Sequence, residues 1–296
     1  MSAGGKEHRG TIFVDDAVVL SQEEFAGQQF VIRLQAPRCA ANARPGSFTH
    51  VCCDPAVPMR RPLSIMRASA DEGWIELLYK VIGDGLRHLS SRRKGDSVSI
   101  IGPIGNPFVA SQKKSRPLLI GGGVGIPPMI FLAERLSADH GDTKQPLVLM
   151  GSELPFPFQP EKSALPVSGP DKGVSKSMPL MESIGVASRL ASLSGFAGCY
   201  EGFVTELARV CLQAMSTEEL AEVEIFACGP EPMLAASASL ARDFDLLCQV
   251  SLEEFMACAV GGCAGCTVEI QTEHGTAMKR VCVDGPVFDA RTIYAG

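Results

Sequence analysis

The chain has 296 residues, of which 46% are apolar, and a net charge of -6 at pH 7. This length predicts two or three domains with cores of their own. No apolar run approaches the roughly 20 residues that a membrane-spanning helix needs, and the polar start MSAGGKEHRG lacks the apolar stretch of a secretory signal. We therefore expect a cytoplasmic protein that does not enter a membrane. Residues 1–115 contain 15 Lys and Arg but only 11 Asp and Glu. This local positive charge suits the binding of an anionic cofactor but gives no support for nucleic-acid binding.

Two patterns of apolar residues follow each other along the chain. Residues 1–112 contain the short strand-like segments TIFVDDAVVL, QFVIRLQA, SFTHVCC, WIELLYKVI and DSVSIIG, which predict an antiparallel barrel. Residues 113–246 alternate apolar strands with helical patterns, as in PLLIG before PPMIFLAERLSA. This alternation is typical of a parallel α/β domain. Inside it, the Pro- and Ser-rich composition near 154–194 favours an inserted, mobile loop over packed structure.

The last segment, residues 247–296, is rich in Gly and Cys. The run MACAVGGCAGCTVEI and the later KRVCVDG place Cys258, Cys263, Cys266 and Cys282 in a C-x4-C-x2-C pattern with a distant fourth cysteine. This is the plant-type spacing of a [2Fe-2S] cluster. The nearby glycines let the loop wrap closely and aim N–H groups at the sulfur atoms. The alternatives are a zinc site, which usually has two C-x2-C pairs, inert buried thiols, or a disulfide.

The cysteine-rich segment has about half the residues of a complete plant-type ferredoxin domain, so we expect it to pack on a neighbouring domain and to act as a relay. The fold class predicted from all three segments is multidomain, β followed by α/β, with a small C-terminal cluster domain. Six other cysteines are scattered, which is usual for small buried side chains. They are Cys39, Cys52, Cys53, Cys199, Cys211 and Cys248.

Two stretches of the barrel region carry a flavin signal. An Arg in a fixed position pairs with a pyrophosphate, and a nearby Ser hydroxyl bonds a flavin ring or its chain. RPLS and the later YKVIGDGL resemble the flavin-binding motifs of the ferredoxin-reductase superfamily. Their residues are Arg61, Pro62, Leu63 and Ser64, then Leu78, Tyr79 and Lys80, and the loop that leads to Gly85 and Leu86.

A glycine-rich loop and a CGP motif mark a nucleotide site. PLLIGGGVGIPPM brings an apolar strand through four glycines into a Pro-initiated helix, so that N–H groups face a phosphate. Ile126 occupies the third glycine position of the dinucleotide fingerprint, which disfavours a Rossmann dehydrogenase. The loop instead resembles the nicotinamide domain of ferredoxin reductases, where CGP faces the nicotinamide. The residues are Gly121, Gly122, Gly123, Gly125, Cys228, Gly229 and Pro230.

In this order the motifs resemble the family of electron transfer subunits of dihydroorotate dehydrogenase, class B. The resemblance implies an FAD-binding β-barrel (1–112), an NAD-binding-like domain (113–246) and a [2Fe-2S] domain (247–296). It also implies a separate FMN-containing catalytic dehydrogenase subunit, with two copies of each chain in a heterotetramer. Electrons from dihydroorotate oxidation, a step of pyrimidine biosynthesis, would pass through FMN, the cluster and FAD to NAD, the substrate.

The resemblance also implies site residues. The nine barrel residues named above would contact FAD, and the four clustered cysteines would bind the [2Fe-2S] cluster. Leu86 departs from the threonine usual in the family, so only its backbone N–H remains for the flavin phosphate. Glu153 follows the strand PLVLMG, and we expect it to accept hydrogen bonds from an adenosine ribose and favour NAD over its phosphorylated form.

No side chain stands out as a general acid or base, so we assign no catalytic residue. Two other interpretations stay open. One is the small subunit of an NAD(P)H-ferredoxin oxidoreductase, a sulfide dehydrogenase or a hydrogenase-associated reductase. The other is a non-catalytic, metal-binding redox sensor, which would contain no flavin.

Overall fold

The structure is a computed structural model that describes residues 10–140 and 143–295. Its first part is a closed six-stranded antiparallel barrel with strand order β1-β2-β5-β4-β3-β6. The strands are β1 (Phe13–Phe25), β2 (Gln29–Gln35), β3 (Phe48–Val51), β4 (Arg61–Ser69), β5 (Trp74–Lys80) and β6 (Ser97–Ile104). Two short helices accompany them, α1 (Pro37–Asn42) and α2 (Gly83–Ser90). Helix α2 closes the barrel by packing Leu86 and Leu89 into its core.

The second part is a seven-stranded sheet with strand order β12-β11-β8-β7-β13-β14-β17. Its strands are β7 (Arg116–Gly122), β8 (Leu147–Gly151), β11 (Ala187–Ser192), β12 (Tyr200–Glu201), β13 (Val223–Cys228), β14 (Leu247–Ser251) and β17 (Val287–Asp289). The first six in spatial order pair in parallel, and β17 runs antiparallel to β14. The structure thus confirms the predicted class, an antiparallel barrel followed by parallel α/β.

The helices of this part cover the sheet. They are α3 (Ile126–His140), α4 (Pro179–Ser183), α5 (Val204–Gln213), α6 (Thr217–Ala221), α7 (Glu231–Asp243) and α8 (Ala290–Ile293). Two antiparallel hairpins lie outside the sheet, β9 (Glu161–Lys162) with β10 (Lys176–Ser177), and β15 (Thr267–Thr272) with β16 (Gly275–Arg280). Among the described residues, none of these helices is long and apolar enough to cross a bilayer.

The cysteine-rich segment is built into the sheet. Strands β14 and β17 both come from residues 247–296, and together they form one edge of the seven-stranded sheet. The segment therefore shares backbone hydrogen bonds with the α/β part, as expected for a piece of chain too short to fold alone.

The segment near 154–194 differs from the mobile loop that its composition favours. Glu182 organises it, because its carboxylate accepts hydrogen bonds from Ser163 Oγ at 2.9 Å and from the backbone N–H of Ala164 and Leu165 at 2.6 and 3.2 Å. Apolar side chains between the Pro and Ser residues are buried in the core beside α3. They include Phe156, Met178, Met181 and Leu190. The composition of the segment does not reveal these few buried apolar side chains.

An ion-pair network joins the barrel to the sheet. Arg67 of β4 donates to both carboxylate oxygens of Glu134 in α3, at 2.9 and 3.0 Å. Arg67 also lies 3.5 Å from Glu76, which pairs with Arg33 at 2.7 Å. The side chains of Arg67 and Glu134 are 28% and 22% exposed, so solvent screens the pair only in part. These bonds hold α3 in register against the barrel wall.

Replacing Glu134 with Gln removes the charge that pairs with Arg67. We expect Glu134→Gln to lower the free energy of unfolding by about 1.5 kcal/mol, the order of a hydrogen bond to a charged group. Asp139→Asn in the same helix breaks an exposed pair with Arg135 and should cost less than about 0.5 kcal/mol. Urea denaturation followed by circular dichroism measures both, and equal effects would contradict an interface role for Glu134.

Candidate functional site

The four cysteines predicted as cluster ligands come together as two pairs. Cys266 Sγ lies 3.3 Å from Cys282 Sγ, and the backbone N–H of Cys263 donates to Cys258 Sγ at 3.4 Å, which holds these two residues together. A [2Fe-2S] cluster is held by four cysteine thiolates, two on each iron. Two thiol pairs on neighbouring pieces of chain fit that requirement.

A site for one metal ion would look different. Structural zinc takes four ligands around a single point. Within residues 10–140 and 143–295, no three His, Cys, Asp or Glu side chains are placed so as to hold one ion.

Backbone N–H groups surround the outer sulfur atoms. Gly262 and Cys263 donate to Cys258 Sγ at 3.2 and 3.4 Å, and Gly265 donates to Cys263 Sγ at 3.4 Å. Burial raises the pKa of Cys258, but N–H donors that include Val260, Cys263 and Gly262 outweigh burial and lower the pKa to about 7. The thiolate, the form that binds iron, is thus favoured near neutral pH.

The loop that carries these donors is held in an unusual backbone conformation. Ala259 and Ala264 have φ of 56° and 55°, and Gly261 has φ of 83°. Left-handed φ values destabilise non-glycine residues and persist only where the surroundings enforce them. Arg280 supplies one such contact, because its Nη1 donates to Gly261 O at 2.8 Å.

The inner thiol pair faces the barrel and the outer pair faces solvent. Cys266 and Cys282 are each 3% exposed and share an apolar core with Phe48 of β3 and Ile104 of β6. Cys263 is exposed. The site therefore reaches from the barrel wall to the protein surface.

The predicted flavin residues of β4 and β5 lie on two faces of the barrel wall. Leu63 and Tyr79 point into the barrel core, whereas Leu78 packs with α3 on the opposite side. Because side chains alternate along a strand, Pro62 and Ser64 face the same way as Leu78. The half-buried Pro62 and Ser64 thus lie on the outer face of β4, on the side where α3 packs, and this is where we expect a groove for the flavin.

Tyr79 offers only its backbone to a ligand in that groove. Its hydroxyl bonds Gln22 Oε1 at 2.9 Å, its ring stacks on Phe30, and burial raises its pKa. Leu86 is 9% exposed and belongs to the barrel core. For both residues the sequence motif predicts that the backbone lies near the flavin site, but it does not predict where the side chain points.

Arg61 and Gly85 meet at one end of the groove. A Cβ added to Gly85 would lie 3.4 Å from the Arg61 guanidinium. The GDG stretch is the first turn of α2, and its N-cap residue, Ile82, supplies no side-chain hydrogen bond. Free N–H groups beside a guanidinium form a place that attracts an anion. The RPLS motif itself begins strand β4.

The glycine-rich loop and the CGP motif are neighbours at the carboxyl edge of the sheet, where Gly121 pairs with Cys228. A Cβ on Gly125 would lie 2.3 Å from Cys228 O, so Gly125 permits close packing of the two loops. Gly123 has φ of 54° and open space around it. Cys228 is 1% exposed, and burial raises its pKa. Its thiol is therefore a neutral core group.

Gly122, Gly229 and Pro230 complete this edge. A Cβ on Gly122 or Gly229 would meet Met233 at 2.5 or 2.6 Å, and Pro230 is the N-cap residue of α7. The sequence analysis missed Glu253, which follows β14 at the same edge. Glu253 is exposed, and the protein around its carboxyl group raises its pKa. Its position directly after the strand was the available signal.

Comparison with known proteins is consistent with these arrangements. The iron-sulfur cluster binding domain of dihydroorotate dehydrogenase B matches residues 253–294. The dihydroorotate dehydrogenase B (NAD(+)) electron transfer subunit of Caldanaerobacter subterraneus subsp. tengcongensis is 32% identical over 94% of this chain and 97% of its own length. That of Geobacillus kaustophilus is 33% identical over 92% and 95%.

Solved structures show the same fold. An NADH-dependent reduced ferredoxin-NADP oxidoreductase aligns with a TM-score of 0.73 at 24% identity, covering 94% of this chain and 90% of its own. The ferredoxin reductase of carbazole 1,9a-dioxygenase aligns with a TM-score of 0.57 at 20% identity, covering 79% and 65%.

The relatives and the family model define an electron-transfer oxidoreductase with an iron-sulfur domain, and its fold is the one seen in ferredoxin reductases. The chain belongs to the family of dihydroorotate dehydrogenase B electron transfer subunits. The family confirms the predicted resemblance, the electron-transfer role, and the cofactors FAD and [2Fe-2S].

Gly261 tests whether the shape of the cysteine loop is needed to hold iron. A Cβ at Gly261 would lie 2.5 Å from Val283 Cγ2 in a left-handed backbone, so we expect Gly261→Ala to lose most of the iron and sulfide. Gly275 is the matched control, because it has φ of 103° but open space around it. Iron and sulfide analysis of the anaerobically purified variants measures the effect. Full iron content in Gly261→Ala would contradict the conclusion that the tight shape of the loop is needed to bind iron.

Proposed function

We propose that this chain carries electrons between an FMN-containing dehydrogenase, which oxidises dihydroorotate in pyrimidine biosynthesis, and NAD. The main support for the proposal is the position of the thiols. Cys263 is exposed at the surface, and Cys266 and Cys282 are buried against the barrel wall. Each relative's name includes dihydroorotate and NAD(+). Domain boundaries after residues 112 and 246, and a heterotetramer of two of each chain, belong to this proposal.

The groove between barrel and sheet would hold FAD. Arg61 and the free N–H groups of α2, starting at Gly83, would bind the pyrophosphate. Pro62, Ser64 and the backbone of Leu78 to Lys80 would position the ring, with Leu63, Tyr79 and Leu86 forming the wall behind. When bound, FAD exchanges two electrons with NAD as a hydride and single electrons with an iron-sulfur cluster.

NAD would bind at the carboxyl edge of the sheet. Gly123 leaves room for close backbone approach, and Gly229 and Pro230 begin α7, whose N-terminus attracts phosphate. Glu153 is exposed just after β8 and stays our candidate for the ribose. Its backbone is fixed by Ser194 Oγ, which donates to Glu153 O at 2.7 Å.

The partner would dock on the surface around the outer thiols. This surface has exposed apolar side chains, with Phe255 94% exposed and Val260 51% exposed on either side of Cys258, next to the exposed carboxylates of Glu253 and Glu254. Exposed apolar groups around a redox centre are expected where another protein excludes water. All eleven cysteines are free thiols, which supports a reducing, cytoplasmic location.

Co-expression with the dehydrogenase partner tests the proposed function. We expect an anaerobic complex that contains FMN, FAD and two irons per copy of this chain, and that reduces NAD with dihydroorotate. With Glu153 on the ribose, NADH should be used at least about tenfold better than NADPH, since the 2′-phosphate meets a like charge. Flavin, iron and sulfide analysis and steady-state rates measure these quantities.

Other results would assign a different role. Zinc without flavin would identify a metal-binding sensor. A larger partner with several [4Fe-4S] clusters would identify an NAD(P)H-ferredoxin oxidoreductase or a related reductase. Equal use of NADPH would remove only the role of Glu153.

Phe255 tests the docking surface. We expect Phe255→Ser to weaken binding of the partner by about 2 kcal/mol or more, as loss of an aromatic anchor does, while iron and FAD contents stay unchanged. Phe203→Ser is the control, since Phe203 is 58% exposed at the start of α5. Analytical ultracentrifugation measures the binding constants, and equal effects of the two variants would exclude Phe255 from the interface.

A further inference from the structure

One buried histidine joins the barrel to the cysteine loop. His50 lies in β3 with no exposed surface, and its Nε2 is 3.2 Å from Met256 O, 206 residues away in the sequence. Met256 precedes the ligand Cys258 by two residues. A carbonyl oxygen only accepts hydrogen bonds, so Nε2 carries the proton and donates it. This bond fixes the peptide that leads into the cysteine loop.

The other ring nitrogen of His50 has no bond. Among the described residues, Nδ1 is buried without a hydrogen-bond partner. Burial lowers the pKa of His50, and the guanidinium of Arg60 acts in the same direction, which favours the neutral ring. A buried unpaired acceptor destabilises a fold, and an apolar side chain of similar size would avoid this. What the imidazole adds here is the bond to Met256.

Asn106 makes the matching contact on the far side of the site. Its Nδ2 donates to Asp284 O at 2.8 Å, and its backbone N–H donates to Gly285 O at 2.6 Å. Asp284 follows the ligand Cys282 by two residues. Barrel residues therefore form hydrogen bonds with the cysteine segment both before its first predicted ligand and after its last.

His50 also borders the flavin groove. It pairs across the strands with Pro62 of β4, and Pro62 lies between Arg61 and Leu63 in the RPLS motif. One residue thus contacts the loop of the iron ligands through its side chain and lies directly opposite Pro62 of the flavin motif in the neighbouring strand. The contact joins residues 206 positions apart, so no local pattern in the sequence indicates it.

We propose that His50 and Asn106 form a latch that sets the position of the cysteine loop relative to the flavin groove, and so tunes electron transfer between the two cofactors. This inference rests on the proposed function. Both are positioning residues, since neither contacts a thiol. The N–H groups that bond Cys258 Sγ belong to the loop that the latch holds, and such bonds help set the potential of an iron-sulfur cluster.

The test compares two replacements of His50 in the holo complex. His50→Leu keeps an apolar, buried side chain and removes the donor. His50→Gln keeps an N–H donor at about the distance of Nε2. We expect His50→Leu to retain FAD and iron, to shift the midpoint potential and the electron paramagnetic resonance spectrum of the reduced cluster, and to slow its reduction by NADH about tenfold, the effect typical of outer-shell partners.

His50→Gln should restore both the spectrum and the rate. His274→Leu is the control, because His274 lies exposed in the β15–β16 hairpin of the same segment, and it should match the wild type. Dye-mediated redox titration gives the potential, and anaerobic stopped-flow spectroscopy gives the rate.

Each outcome decides the proposal. Wild-type spectra and rates in His50→Leu would overturn the latch, as would a His50→Gln variant as impaired as His50→Leu. If His50→Leu fails to fold, Asn106→Leu takes its place with the same expected shifts, and an unchanged spectrum there would be the contrary result. Absence of FAD or of the cluster in the wild type would instead overturn the proposed function.

Discussion

The packing of the cysteine segment against the barrel wall is the contact on which the rest of the site depends. Residues after Gln249 are too few to enclose a core by themselves, and the inner thiols are buried in a cluster to which the barrel contributes Phe48 and Ile104. Apolar surface that a short segment cannot bury by itself must be buried on a neighbour. This requirement places the cluster beside the barrel wall and leaves the outer thiols at the surface.

The junction of barrel and sheet gives the second constraint. Helix α3 packs on β4 and β5, and the Arg67–Glu134 pair fixes its register. Because the glycine-rich loop directly precedes α3, the same contact sets the nucleotide edge of the sheet relative to the flavin groove. The two sites thus share one rigid support, which suits a reaction in which cofactor and nucleotide must meet at a fixed distance.

Glycines at the nucleotide edge serve packing more than ligand contact. Gly125 lies against the carbonyl of Cys228, and Gly122 and Gly229 both lie against Met233. Gly123 alone among the four loop glycines has a left-handed backbone and open space beside it. A glycine motif therefore identifies the loop, while the roles of its members differ according to what each one touches.

The sequence by itself determined the class of fold, the two patterns of apolar residues, and the four cysteines as one site. Local spacing carries this information, because strand alternation, helical periodicity and ligand spacing are properties of short stretches. The sequence also located RPLS, the glycine-rich loop and CGP, and the structure brings the last two together at the carboxyl edge of the sheet.

Only the tertiary structure decided which face each residue uses. Tyr79 and Leu86 point into the barrel core, Cys228 is a core thiol, and the Pro- and Ser-rich segment is tied down by Glu182. Strand β17 joins the sheet from the last ten residues, and His50 reaches Met256 across 206 positions. Such contacts form between distant parts of the chain, and the periodicity within either segment does not predict that the two segments touch.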